Sequence, residues 1–156
     1  MSNEIKNIFI SHIHEDDDRL PALKEMLARR GYEVRDGSIN SSKPNDAKNE
    51  DYIMREKLAP RIDWAGALVV LVSHGTHESD WVDREIEYAE RHDKRIVGVW
   101  DRGAQDADLP EALKKYGDAM VGWNADSIID AINGKDEWDN ADGSLRDEAH
   151  IPRYQC

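Results

Sequence analysis

Cysteine is almost absent: the one thiol, Cys156, is the last residue of the sequence and has no partner for an internal disulfide. No apolar run approaches the roughly 20 residues that cross a bilayer. Residues 1–6 lack the basic-then-apolar pattern of an export signal, so a reducing, cytoplasmic setting is the expectation. Bases are scarce as well, since 21 Lys and Arg stand against 33 Asp and Glu, a formal charge of −12 at pH 7. A field of that sign repels nucleic acid and anionic membranes, so neither is expected as a partner, and an anionic nucleotide would need local donors. Internal repeats and low-complexity tracts are also missing. What is present is a 156-residue chain, long enough for one domain with a real core.

Its apolar segments are short and alternate with helical stripes. Residues 5–11, centred on Ile8, Phe9 and Ile10, predict a first strand. Acidic residues then open a helix over 17–30, with Leu20, Leu23 and Leu27 at helical spacing and Gly31 as its C′ residue. A second strand is expected at 32–35, followed by a polar surface loop over 36–46. The next helix, 47–62, aligns Met54, Leu58 and Ile62, and Pro60 is expected to kink or end it. Three further strands are predicted at 67–73, 95–100 and 119–123, with helices at 79–92, 109–115 and 126–132. This alternation implies right-handed crossovers and a parallel sheet covered on both faces. The expected fold is α/β, flavodoxin-like, with strand order 2-1-3-4-5. Residues 1–133 would form the domain, and 134–156 a polar tail, either wrapped on the domain or disordered, in which Trp138 and Tyr154 are isolated anchors.

In that order the sheet reverses between the first and third strands, opening a crevice at their carboxyl ends. Ser11 and His12 arrive there from the first strand, Ser73 and His74 from the third. The segment Ser79-Asp80-Trp81-Val82-Asp83-Arg84-Glu85-Ile86 begins a helix beside the same crevice. Trp81 and Glu85, four residues apart, share one helical face. A carboxylate beside an indole in this position is a candidate catalytic group, the alternative being an exposed glutamate paired with Arg84 or Arg91. Trp100 and Trp123 end strands, where core or rim packing is expected. The set His12-Ile13-His14-Glu15-Asp16 has metal-like spacing, but its acids have the placement of helix caps, so no metal is expected. A phospho-receiver needs an aspartate and a lysine where this chain has Ser73 and Trp123.

These segments resemble TIR domains: Phe9-Ile10-Ser11 followed by Glu15 and Asp16, the run from Leu68 to Ser73, Ser79-Asp80-Trp81-Val82 followed by Glu85-Ile86, and the strand from Lys94 to Val99. The resemblance covers residues 5–132 and is closest to the bacterial TIR-like domains of Thoeris anti-phage systems. It implies an enzyme that consumes NAD as substrate, with no further cofactor. Such an enzyme releases nicotinamide and makes an ADP-ribose-derived signal, cyclic forms included, for a separate effector. It also implies self-association and a phage-derived activator. Glu85 is then the catalytic residue, stabilising an oxocarbenium-like ribosyl cation, with Trp81 as a flat wall for nicotinamide or ribose. Ser11 and His12 are candidates for phosphate or the nicotinamide amide, Asp36 and Ser38 for a ribose, and Ser73 and His74 for the switch point. Two other functions stay open: a non-catalytic module assembling through the loop 37–46, and a nucleoside deoxyribosyltransferase-like enzyme.

Overall fold

The computed structural model describes residues 6–13, 19–36, 58–101 and 104–139. Five parallel strands form one sheet in the order β2-β1-β3-β4-β5, the expected topology. Strand β1 (Asn7–Ser11) lies between β2 (Glu33–Asp36) and β3 (Ala67–Val72), with Ile8 against Ala67 and Ser11 against Val70. Beyond β3 come β4 (Arg95–Trp100) and β5 (Ala119–Val121).

Strand pleating sorts the core into two layers. Phe9, Leu68, Val70, Val72, Ile96 and Met120 face helices α2 (Ala59–Trp64), α3 (Asp80–Arg91) and α4 (Glu111–Tyr116). Ile8, Ile10, Val69, Leu71, Val97 and Val99 face α1 (Leu20–Arg29) and α5 (Ala125–Ile132). Every residue of β3 is buried, as a central parallel strand covered on both faces requires.

Helix α1 buries the expected Leu20, Leu23 and Leu27. It ends in a Schellman motif: Gly31, at φ +92°, donates to Ala28 O and Tyr32 donates to Leu27 O. Its described first turn contains Pro21 and no acid, and the acids expected to open it at 15–18 lie outside the described residues. The start of the 47–62 helix lies outside them too. Pro60 does not end α2, which continues to Trp64; the proline is in the first described turn, where a missing N–H is tolerated. β5 stops at Val121, two residues short of expectation, and Trp123 lies beyond it. Two short 3-10 turns, Thr76–Glu78 and Asp106–Asp108, were not signalled by hydrophobic periodicity.

After α5 the chain returns along the outer edge of β5. Met120 N donates to Glu137 O (2.8 Å), Asp139 N donates to Met120 O (2.7 Å), and the Trp100 indole donates to Asp139 O (2.9 Å). Trp138 pairs with Met120 and packs on the core, as an anchor would. Tyr154 lies outside the described residues. No described helix is long and apolar enough to cross a membrane.

Candidate active site

Pleating sets the site. Phe9 faces the α3 side of the sheet, so Ser11, two residues on, faces the same side. Helix α3 lays the stripe Val82, Ile86 and Ala89 on that surface, all completely buried. Glu85 falls within the same stripe, three residues after Val82, and is only 3% exposed. Its carboxylate oxygen Oε1 accepts a hydrogen bond of 2.5 Å from the Ser11 hydroxyl, across 74 residues of sequence. An exposed, solvated glutamate is thereby excluded. Placing a carboxylate in a core stripe is costly unless it is hydrogen-bonded, and costly polar groups concentrate where chemistry is done.

Helix α3 is held along its length. Ser79 caps it, its hydroxyl accepting from Val82 N (3.2 Å). Asp83 accepts from Ala112 N at the start of α4 (3.4 Å). Near the other end the Tyr88 hydroxyl donates to both carboxylate oxygens of Asp63 on α2 (2.9 and 3.0 Å).

The loop from β3 into α3 is wired internally. Thr76, completely buried, accepts from Ser73 N at 2.8 Å and lies 3.2 Å from the Ser73 hydroxyl. Gly75 takes φ +97°, a conformation costly for any residue with a Cβ, and its N–H is directed at Asp108 (3.4 Å). Asp108 is buried, accepts from Gln105 N (2.8 Å), and has the imidazoles of His74 and His77 at 3.5 and 3.7 Å. Ser73 is thus drawn into the loop's own bonding, while the His74 side chain is 94% exposed.

His12 is half-buried, and its Nδ1 donates to the Ile13 carbonyl (2.9 Å). Trp81 is half-buried against the core, with the Arg84 guanidinium 5.4 Å from its ring centre. Asp36 is the last residue of β2, paired with Ile10. Ser38 and the loop 37–46 lie outside the described residues, as do His14, Glu15 and Asp16. Among the described residues no group of three or more His, Cys, Asp or Glu has a metal-binding arrangement.

Sequence reasoning missed a second polar group on the same edge of the sheet. Asp101, buried just past β4, accepts from Arg19 Nε (3.0 Å) and is 2.9 Å from its terminal nitrogen. The same guanidinium lies 4.7 Å from the Trp123 ring centre. Trp100 is core, as expected, and Trp123 is half-buried on the rim. An aspartate directly after an apolar strand was the only available signal, and it does not identify Arg19.

Solved structures similar to this chain include two enzymes. One is a CMP N-glycosidase, BcmB, from Clostridium botulinum: TM-score 0.49, 16% identity, covering 80% of this chain and 96% of that one. The other is FerB, a flavoenzyme NAD(P)H:(acceptor) oxidoreductase from Paracoccus denitrificans: TM-score 0.45, 18% identity, covering 96% and 91%. At these values they bear on neither substrate nor mechanism. No curated protein matches the sequence. Residues 9–106, well over half of the sequence and inclusive of Ser11, Ser73, Trp81 and Glu85, match the family described as Thoeris protein ThsB, TIR-like domain, and the chain belongs to that family.

Proposed function

We propose that this TIR-like protein is an NAD-consuming enzyme of Thoeris-type anti-phage defence, with Glu85 as its catalytic residue. The observation that carries the reading is the Glu85 carboxylate, 3% exposed and hydrogen-bonded by Ser11 beside the sheet's reversal point. In the reaction, the bond between ribose C1′ and the nicotinamide ring nitrogen breaks, and its electron pair leaves with nicotinamide. Nicotinamide is cationic while bound and departs neutral, so no general acid is required. Positive charge develops on the ribosyl carbon and ring oxygen, and a fixed carboxylate stabilises it. Water, or a nucleophile elsewhere in the same nucleotide, then captures C1′ and loses a proton. The product is ADP-ribose or a cyclic isomer, which acts as a diffusible signal for a separate effector. Trp81 offers its ring as a wall for nicotinamide or ribose.

The test is free nicotinamide, followed by chromatography, from protein at high concentration with NAD, with and without phage-derived activator. Turnover that Glu85→Gln abolishes is the expected result. Turnover that Glu85→Gln leaves intact removes Glu85 from the mechanism. No turnover under any condition favours a non-catalytic assembly module, and exchange of deoxynucleosides favours a deoxyribosyltransferase.

A further inference from the structure

We infer that Ser11 is a positioning residue for Glu85 and not a contact for the substrate's phosphates, an inference that rests on the catalytic reading of Glu85. A serine hydroxyl has one proton, and an ionised carboxylate only accepts. In the bond between Ser11 Oγ and Glu85 Oε1 that proton therefore belongs to Glu85, and none is left to donate to a phosphate.

The physical role follows from where each partner is anchored. Ser11 is the last residue of β1, in register with Val70 of the fully buried β3, so its backbone is fixed by the sheet. Glu85 reaches it through three side-chain torsions, and a glutamate without a fixed partner samples several rotamers. The hydroxyl selects one carboxylate orientation before substrate arrives. A hydroxyl that donates to a carboxylate also favours its ionised form, the form that stabilises a ribosyl cation. Strand and helix thus jointly define the catalytic carboxylate.

The test compares Ser11→Ala, Ser11→Thr and Glu85→Gln in the full chain, with NAD as substrate. Ser11→Ala is expected to lower kcat by about 10- to 100-fold with KM changed by less than about threefold, the pattern of an interaction that matters in the transition state. The acidic limb of its pH–rate profile should move to higher pH, and Ser11→Thr, which restores a hydroxyl, should recover most of the rate. An independent readout needs no turnover: the 13C titration of the Glu85 side-chain carboxyl, assigned by its loss in Glu85→Gln, should move to higher pH in Ser11→Ala. A raised KM with unchanged kcat and an unmoved titration would make Ser11 a substrate contact and overturn the inference. Activity that persists in Glu85→Gln instead removes the catalytic reading, and the titration still decides whether Ser11 holds the carboxylate.

Discussion

Glu85, Asp101 and Asp108 are among the buried carboxylates of the described residues, and each meets different groups. Glu85 accepts a hydrogen bond from the Ser11 hydroxyl, Asp101 pairs with Arg19, and Asp108 accepts from backbone N–H groups with two imidazoles close by. The Asp101 pair makes a prediction of its own. Arg19→Met should destabilise the fold by about 1–3 kcal/mol because it takes the guanidinium away from a buried carboxylate. Asp101→Asn should cost less, and the double variant less than the sum, a coupling that urea unfolding can measure. Additive effects would show that the pair does not interact. Glu85 was legible in sequence from its slot after the third strand and from Trp81 one turn before it. Its partner was not: Ser11 lies 74 residues away, and only the pleat of β1, once the sheet order is known, turns it toward α3.

At the scale of elements, the loop between β3 and α3 determines where the Glu85 helix starts. It is bonded internally by Thr76, which accepts from the backbone N–H of Ser73, and by Asp108 across a second 3-10 turn. Thr76→Val keeps the volume but leaves the Ser73 N–H without this acceptor, at a cost of about 1–3 kcal/mol. Amide exchange at residues 73–79 should accelerate in that variant while β4 stays protected; unchanged exchange would deny Thr76 this role. The strands and α3 were readable from apolar runs and helical stripes, because burial imposes those periods. The two short turns were not, because they are closed by local backbone and side-chain hydrogen bonds that leave no periodic trace. Trp138 was readable as an anchor, but its pairing with Met120 was not, because one indole in a polar stretch gives no strand signal.

For the whole molecule, the segment 137–139 closes the β5 edge and brings a pH dependence with it. Burial, and then the hydrogen bond and charge of Glu137, push the Asp139 carboxyl up from 3.8 to about 6. The bond from Asp139, and then Lys135, hold Glu137 below its usual range. A raised carboxyl contributes stability that is complete below its unfolded value, about 3.9, and is lost as pH rises through about 6. The lowered Glu137 contributes above its own unfolded value, so the pair holds best in the mildly acidic range between the two. The Asp139 amide, bonded to Met120 O, should therefore open more readily at about pH 7.5 than at about pH 5.5, after correction for intrinsic exchange. Asp139→Asn should flatten that difference, and equal slopes in both proteins would remove the carboxyl pair as its cause.

The central claim is that a buried glutamate, placed by α3 and held by β1, breaks the bond between nicotinamide and ribose. Nicotinamide release from NAD, measured under matched assembly conditions for the unmodified protein and Glu85→Gln, addresses it most directly. Loss of the carboxylate charge should lower the rate at least about 100-fold, with the Tm of the variant close to that of the parent. Release by Glu85→Gln within about twofold of the parent would contradict the account.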